Sequence, residues 1–313
     1  MQNSEKIIGI FGGNSFLAKY TIEKLCKAGY RLKIGTRKPW LVNHIQTMGS
    51  PGQIILIPTN VFDQNSVREV LKDCNYCINF CGQLVEKKIS FFQLHSLWPE
   101  MLSKLANEYK IKLIHISALN TTAKNPARYM QSKMLGEEKI KQNIENYFIL
   151  RPSLLFGNGD DNFFNSFGTM AQFSPIIPLP FSGSTKFSPV HASDCAEAIV
   201  RLLKIENSKN KIFEIAGPSI YSLKNLVKIF LSQIKKKRLI VSAPFIKIQS
   251  YILQYFPEPF RITPDQILLL KNDSIPTGKF PTLKDLNITP KEIESIFPYW
   301  RRWREGGEFN RDD

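Results

Sequence analysis

The sequence predicts an α/β protein in which a doubly wound parallel β-sheet is followed by a smaller, mostly helical C-terminal subdomain. In the first half of the chain, short runs of apolar and β-branched residues alternate with amphipathic helical segments. Such alternation produces right-handed βαβ crossovers and a parallel sheet covered on both faces. Beyond Gly157 the pattern changes, because proline, phenylalanine and serine become frequent as far as Phe187. This change predicts a second structural unit.

Each element of the sheet can be placed by its pattern. The predicted strands lie at 7–11, 31–34, 53–57, 77–80, 112–116, 147–150 and 211–215. The predicted helices lie at 18–28, 66–72, 92–109, 127–142, 194–204 and 222–234. We expect residues 1–155 to form the core around the sheet, with 187–216 returning to it. Residues 156–186 and 217–313 are then expected to form the C-terminal subdomain, with a substrate-binding or docking role.

The charge of the chain favours anionic partners. Its 313 residues include 42 Lys and Arg against 27 Asp and Glu, which gives a formal net charge of +15. A phosphorylated cofactor, an acidic subunit or an anionic membrane surface would match this charge, although a lysine-coated surface explains it without any partner. The basic residues are dispersed and form no nucleic-acid-binding motif, so we expect no nucleic-acid partner. No apolar run approaches the roughly 20 residues that span a bilayer.

A turn of small residues joins the first predicted strand to the first predicted helix. Small side chains at Gly12, Ser15 and Ala18 let the backbone turn tightly and approach a pyrophosphate, which the helix N-terminus attracts. The usual fingerprint has glycine in all three places, and a strand–turn–helix without a ligand is the alternative. The turn predicts a dinucleotide-binding core of the Rossmann type. Its expected cofactor contacts are Gly12, Gly13, Asn14, Ser15, Phe16 and Leu17.

The end of the second predicted strand favours NADP(H) over NAD(H). Proteins that bind NAD(H) usually have an Asp or Glu about 20 residues beyond the glycines, where it bonds the ribose 2′-hydroxyl. Here the residues are Gly35, Thr36, Arg37 and Lys38, and none of them is acidic. The guanidinium of Arg37 and the charge of Lys38 suit a 2′-phosphate. An ordinary solvated basic turn is the alternative.

A tyrosine and a lysine four residues apart indicate proton-transfer chemistry. Tyr129 and Lys133 lie near the start of a helical pattern, so their side chains share one helix face. A nearby ammonium is expected to lower the pKa of Tyr129, which suits proton transfer to a carbonyl. Ser117 ends the preceding strand and could hold the reacting oxygen. We therefore predict Tyr129, Lys133 and Ser117 as catalytic residues, with the first two also contacting the cofactor.

These residues together resemble the short-chain dehydrogenase/reductase superfamily, in its extended or atypical branch. The resemblance implies further cofactor contacts. Asn60 and Val61 match the segment that meets adenine, Cys81 and Gly82 match a small-residue turn after the fourth strand, and Pro152 matches a proline near the nicotinamide.

The later part of the chain is similar to one subgroup, the nucleotide-binding accessory subunit of respiratory complex I (NADH–ubiquinone oxidoreductase) and its bacterial relatives. The matching segments are 114–120, 156–165, 173–179, 189–190 together with Asp194, 217–221 and 285–288. The resemblance implies tightly held NADP(H), a structural or regulatory role with little turnover, and complex I subunits as partners. It also implies a peripheral position on the cytoplasmic side of a bacterial inner membrane, or on the matrix side in an organelle.

Other functions stay open at this point. Because Tyr129 and Lys133 are both present, the chain could instead be a free-standing NAD(P)-dependent reductase, epimerase or dehydratase. A third possibility is a redox-sensing binding protein of the atypical branch. The substrate of any such activity does not follow from the sequence.

Three further features allow more than one interpretation. Cys74, Cys77 and Cys81 are spaced like metal ligands, but no further Cys or His completes a set, so we expect buried thiols, no metal and a reducing compartment. The basic run at 235–238 either complements the dipole at a helix end or contacts anionic lipid. The aromatic stretch at 243–260 either covers the core or forms a docking surface.

Overall fold

A parallel sheet with helices on both faces is the framework of the molecule. A computed structural model describes residues 3–122, 125–159, 163–206, 211–244, 246–255 and 261–309. Its strands are β1 (Ile7–Phe11), β2 (Arg31–Thr36), β3 (Ile54–Pro58), β4 (Tyr76–Asn79), β5 (Lys112–Ile116), β6 (Tyr147–Pro152), β7 (Leu155–Phe156), β8 (Ile176–Leu179), β9 (Lys186–Phe187), β10 (Val190–His191), β11 (Ile212–Ile215), β12 (Tyr221–Ser222) and β13 (Leu239–Ser242). Its α-helices are α1 (Phe16–Lys27), α2 (Gln64–Leu71), α3 (Trp98–Glu108), α4 (Arg128–Asn143), α5 (Phe163–Phe173), α6 (Ala192–Lys204), α7 (Leu223–Gln233), α8 (Ile246–Leu253), α9 (Pro264–Leu269) and α10 (Phe297–Trp300).

The central sheet has the strand order β11-β6-β5-β4-β1-β2-β3, and all neighbouring strands in it are parallel. The order reverses at β1, because the chain runs outward through β2 and β3 and then returns to pair β4 with β1. At such a switch point, the carboxyl ends of the two strands leave a crevice that ligands occupy. The predicted doubly wound sheet is confirmed, and the predicted strands are found with ends shifted by two residues at most.

Apolar side chains cover both faces of the sheet. On one face, α1 and α6 pack over β1 through residues such as Leu25, Ile199 and Ile10. On the other face, α2, α3 and α4 contribute residues such as Val70, Leu102 and Ile140. Burial on both faces explains why the strands are continuous apolar runs rather than alternating ones.

The second half of the chain adds its own apolar core. Aromatic residues form its centre, with Phe164, Phe230 and Trp300 in mutual contact. Short strand pairs, β7 with β10, β8 with β13 and β9 with β12, accompany the helices α5 and α7 to α10. The proposed domain limits at 155, 186 and 216 stay predictions. Among the described helices, none is both long enough and apolar enough to cross a bilayer.

The predicted helix at 92–109 is interrupted. A π-helical turn occupies Gln93–Leu97 and α3 begins only at Trp98. Pro99 explains the break, because proline has no N–H to donate to the carbonyl four residues earlier and its ring clashes with that carbonyl. That carbonyl belongs to His95. The wider turn therefore leaves the His95 oxygen to face a different helix.

Candidate functional site

The turn between β1 and α1 requires glycine at its first position. Gly12 has a φ of +78°, in the left-handed region that side chains disfavour. A Cβ atom there would lie 2.8 Å from the Cys81 amide nitrogen and 2.9 Å from the Phe80 carbonyl carbon. At Gly13 a Cβ atom would lie 2.6 Å from Cγ2 of Ile34. The two glycines therefore allow the turn to lie directly against the ends of β4 and β2.

The helix that follows presents its amino end to the crevice. Ser15 is the N-cap of α1, and its Oγ accepts a hydrogen bond from the Ala18 amide at 3.4 Å. The hydroxyl proton is left to donate to a ligand. The side chain of Leu17 is buried in the core and Asn14 is exposed. Residues 16 and 17 contribute their amides, which have no acceptor inside the helix. A turn without bulk beside a helix N-terminus fits a pyrophosphate.

Arg37 and Lys38 follow the end of β2 and are exposed. Within the described residues, no carboxylate forms an ion pair with either side chain. Burial raises the pKa of the Cys81 thiol to about 12, and Lys133, Trp98 and Arg37 oppose this rise. Arg37 is thus close enough to the end of β4 to act on it electrostatically. Arg37 and Lys38 can therefore bind an anion at the edge of the crevice.

Tyr129 and Lys133 both point inward from α4, as their spacing predicts. Both side chains are buried, and the Lys133 ammonium lies 6.0 Å from the centroid of the Tyr129 ring. Lys133 Nζ donates to the carbonyl of Ile116 at 3.1 Å. A Cβ atom on Gly82 would lie 3.3 Å from the same Nζ. The structure therefore brings Lys133 to the ends of β4 and β5, beside the glycine turn.

The expected lowering of the Tyr129 pKa is wrong for this structure. Burial raises the pKa of Tyr129 to about 12, because the phenolate would lose more hydration than the ammonium returns at this distance. Burial also lowers the pKa of Lys133 to about 8, although Glu137 and Cys81 oppose the shift. Both groups are therefore pushed towards their neutral forms, and Lys133 changes charge near physiological pH.

Ser117 follows β5, one residue beyond the carbonyl that Lys133 contacts. It is buried, and its Oγ lies 3.5 Å from Oγ1 of Thr121. Within the described part of the chain, no hydrogen bond joins Ser117 to Tyr129. Pro152 is buried at the end of β6, and its carbonyl accepts a hydrogen bond from the Leu119 amide at 3.0 Å. The two predicted residues thus lie at neighbouring strand ends.

The predicted adenine contacts, Asn60 and Val61, lie beyond the end of β3. Asn60 is exposed, and its Oδ1 accepts a hydrogen bond from the Phe62 amide at 3.1 Å. Val61 is partly buried against the core under α2 and α3. Of the segment at 156–165, residues 160–162 lie outside the described residues, whereas Gly157 packs against α1, where a Cβ atom would lie 3.2 Å from the Phe16 ring.

His95 supports the start of α4, a contact that no spacing in the sequence indicated. His95 Nε2 accepts a hydrogen bond from the Gln83 amide at 3.2 Å, so Nδ1 carries the proton that faces Ser132 Oγ at 2.9 Å. Ser132 Oγ donates in turn to the Tyr129 carbonyl at 2.7 Å. Burial, and then Lys133, lower the pKa of His95 to about 2. His95 is therefore a neutral connector between the turn after β4 and the backbone of Tyr129.

Gly136 sets how closely α4 approaches this connector. A Cβ atom on Gly136 would overlap the carbonyl oxygen of His95, the oxygen that the π-helical turn releases. Glu137, the next residue, is buried and forms a two-pronged pair with Arg151 at 2.9 and 2.5 Å. Gly136 thus holds α4 against the π-helical turn, and the Glu137–Arg151 pair holds it against β6. In the sequence, the four-residue spacing of Lys133 and Glu137 was the signal that both side chains lie on the inward face of α4.

A carboxylate from the second half of the chain caps the amino end of α4. Ala127 is the N-cap of α4 and provides no side-chain hydrogen bond. Asp265 of α9 instead accepts from the Arg128 amide at 2.7 Å and from the Tyr129 amide at 3.1 Å. The negative charge also suits the positive end of the helix dipole. Asp265 therefore links the position of Tyr129 to the C-terminal subdomain, which no spacing in the sequence predicted.

Sheet order, glycine turn and the pair on α4 define the fold of the NAD(P)-binding short-chain dehydrogenases/reductases. Within it, a family model described as the RmlD substrate binding domain matches residues 10–243, and the chain belongs to this family. The chain is also similar to two curated proteins called NADH dehydrogenase [ubiquinone] 1 alpha subcomplex subunit 9, mitochondrial. That of Dictyostelium discoideum is 28% identical, with 99% of this chain and 88% of that protein aligned. That of Arabidopsis thaliana is 26% identical, with 95% of this chain and 78% of that protein aligned.

Solved structures support the fold. A NADPH-dependent quinone oxidoreductase of Escherichia coli, complexed with NADPH, superimposes with a TM-score of 0.72 at 16% identity, over 94% of this chain and 99% of that one. UDP-glucose 4-epimerase of Bifidobacterium longum, in complex with NAD+ and UDP, gives a TM-score of 0.70 at 15% identity, over 95% and 98%. The resemblance to extended short-chain dehydrogenases/reductases and to the complex I subunit family is confirmed.

Proposed function

We propose that this chain is a NADP(H)-binding accessory subunit of respiratory complex I with little turnover of its own. The similarity to two mitochondrial NADH dehydrogenase subunits over nearly the whole chain supports the complex I assignment. The glycine turn at the β1–β4 switch point carries the cofactor assignment, because a backbone this close to the end of β4 accommodates a pyrophosphate. The proposed core is residues 1–155 with 187–216, and the proposed docking subdomain is 156–186 with 217–313.

The proposed cofactor contacts divide by chemistry. Amides and the Ser15 hydroxyl meet the pyrophosphate, Arg37 and Lys38 meet a 2′-phosphate, and Tyr129 and Lys133 meet the nicotinamide ribose. The remaining proposed contacts are Gly12, Gly13, Asn14, Phe16, Leu17, Asn60, Val61, Cys81, Gly82 and Pro152. Preference for NADP(H) over NAD(H) rests on the two exposed cations at the end of β2, since an acid is absent there.

The docking role is supported by the exposed apolar residues of the C-terminal subdomain. On α8, Ile248 is 69% exposed, and Tyr255 just beyond it is 82% exposed. Of the aromatic stretch at 243–260, Phe245 and residues 256–260 lie outside the described residues. A peripheral position follows from such a role, on the cytoplasmic side of a bacterial inner membrane or on the matrix side in an organelle.

Replacing Arg37 tests the cofactor assignment. We expect Arg37→Ser to weaken NADPH binding by about 10- to 100-fold, because a charge-assisted hydrogen bond is lost, and to leave NADH binding unchanged. Arg31→Ser is the matched control, since Arg31 is exposed at the opposite end of the same strand. Calorimetric titration with both dinucleotides measures the effect. Equal losses for NADPH and NADH, or no loss, would contradict the assignment.

Native mass spectrometry of the protein purified from its own membranes in mild detergent tests the partner. We expect complex I subunits and one bound dinucleotide in the same particle. A protein that never co-migrates with complex I refutes the accessory role, whatever its cofactor.

A free-standing reductase, epimerase or dehydratase is the second candidate, favoured by the buried Tyr129–Lys133 pair beside Ser117. In such an enzyme a dinucleotide held by Lys133 through its ribose would supply the hydride chemistry. Tyr129, tuned by Lys133, would exchange a proton with the substrate oxygen, and Ser117 would polarise the substrate carbonyl. A reductase would consume NADPH with a small carbonyl substrate, whereas an epimerase or dehydratase would convert a nucleotide sugar with no net consumption of dinucleotide. Either turnover, abolished by Tyr129→Phe, distinguishes this activity from the accessory role.

A further inference from the structure

A shallow basic cavity lies on the C-terminal subdomain, at α7 and the start of β13. Its volume is about 450 Å³. Five cations line it: Lys224, Lys228, Lys236, Lys237 and Arg238. The cavity shares no lining residue with the proposed dinucleotide site or with α8.

Local structure concentrates the five charges. Lys224 and Lys228 are four residues apart on α7 and so share one helix face. After α7 the chain turns back at Lys235, whose φ is +57°, and this brings the next three basic residues alongside. Arg238 is fixed there, because its Nε donates to the Ala171 carbonyl at 2.7 Å. Within the described residues, none of the four cavity lysines has a carboxylate partner. Like charges this close are stabilised by an anion.

An apolar edge adjoins the cations. Leu239 follows Arg238 directly and is 62% exposed, and Phe173, the last residue of α5, is 74% exposed. Leu239 lies opposite Ile176 in the parallel pair of β13 with β8, and Ile176 is also exposed. Arg238 bonds α5, which ends at Phe173, and it directly precedes Leu239, so the apolar edge begins next to the cavity.

We propose that this surface binds the anionic face of a phospholipid membrane. Its cations would contact lipid phosphates, and Phe173, Ile176 and Leu239 would enter the boundary between headgroups and acyl chains. A protein partner fits less well, because lysine is depleted at protein–protein interfaces. The binding needs neither a dinucleotide nor complex I, so its failure would leave the proposed function intact.

Vesicle binding of the purified full-length chain tests this proposal. We expect co-sedimentation with phosphatidylcholine vesicles that contain 30% phosphatidylglycerol, and little with phosphatidylcholine alone. The triple variant Lys224→Glu, Lys228→Glu, Lys237→Glu should bind at least about tenfold more weakly. The matched control Lys87→Glu, Lys88→Glu, Lys279→Glu removes the same charge at exposed sites elsewhere and should bind within about twofold of the wild type. Equal losses in both variants mean attraction by net charge alone and overturn the proposal.

The apolar edge gives a second and independent measurement. Phe173→Ser with Leu239→Ser should reduce vesicle binding about tenfold or more while the charges remain. Ile248→Ser with Ile252→Ser on α8 is the control, and if only this control lost binding, the surface would be misassigned. If wild-type protein ignores anionic vesicles, yet the Lys224/Lys228/Lys237 variant dissociates from its native complex, the cavity meets an acidic protein and the membrane proposal is wrong.

Discussion

The crevice at the sheet and the C-terminal subdomain differ in how far their side chains are hydrogen-bonded or covered by other residues. Around Tyr129 the side chains are buried and connected, with His95, Ser132 and Lys133 each bonded to backbone. In the C-terminal subdomain, α8 and the edge near Leu239 leave large apolar side chains exposed. The first region is arranged before any ligand enters, which reduces the entropy lost on binding. In the second, the exposed apolar side chains lose their contact with water only when something covers them. The proposed cofactor site and the proposed docking surface thus differ in how far their side chains are paired and covered.

The largest expected effect comes from the glycine turn. Gly12→Ala should weaken dinucleotide binding about 100-fold or more and destabilise the fold by about 3 kcal/mol, because it adds steric overlap to an unfavourable φ. Gly52→Ala is the matched control, since Gly52 has a φ of +77° with nothing within 4 Å of an added Cβ atom. It should cost about 1 kcal/mol and leave binding unchanged. Titration calorimetry and urea unfolding measure both quantities. Similar affinities for the two variants would show that close approach to β4 is unimportant.

The pH dependence of Lys133 gives the next effect. Because burial lowers its pKa to about 8, NADPH affinity should fall about tenfold between pH 7 and pH 9.5 as a charged donor becomes neutral. Stability should change in the opposite sense. Between pH 8 and the ordinary lysine value of 10.5, the unfolded chain binds more protons, so this residue's contribution to stability rises with pH. Lys133→Met should remove both trends, and their persistence in that variant would assign them to other groups.

Replacing Asp265 tests how strongly the C-terminal subdomain influences NADPH binding at the crevice. Asp265→Ala should cost about 1 kcal/mol through the lost cap of α4 and weaken NADPH binding by a few fold, because the first turn of α4 carries Tyr129. Asp285→Ala removes a carboxylate that caps a turn elsewhere, at Thr282, and should lower stability without changing affinity. If both variants left affinity unchanged, the C-terminal subdomain would have no influence on the site.

The smallest effect on stability is expected on α8. Ile248→Ser with Ile252→Ser should change the free energy of unfolding by no more than about 0.5 kcal/mol, yet reduce association with complex I. Ile246 is buried on the same helix, so Ile246→Ser should destabilise by about 2 kcal/mol or more. Thermal unfolding and blue-native gels report the two properties. A large stability loss in the exposed pair would show that α8 serves the core instead of a partner.

Sequence reasoning predicted the features that depend on local residue patterns. Strands such as 7–11 follow from apolar runs, and the shared face of Tyr129 and Lys133 follows from helical periodicity. The support around them could not be predicted in this way. Asp265 is 136 residues from the amide of Tyr129 that it caps. His95 contacts Ser132 from a π-helical turn, which the apolar pattern does not predict. The pKa of Tyr129 was mispredicted for the same reason, since spacing reports a neighbouring charge but not the loss of water.

Gly136 has a consequence for how this protein can vary. Gly136 is where α4 packs against the carbonyl oxygen of His95, and Tyr129 and Lys133 lie on the same helix. Any larger residue at 136 would push α4 away from His95, so the side chains of Tyr129 and Lys133 would move together although neither residue had been replaced. A single methyl group at position 136 would therefore displace both proposed site residues in one step.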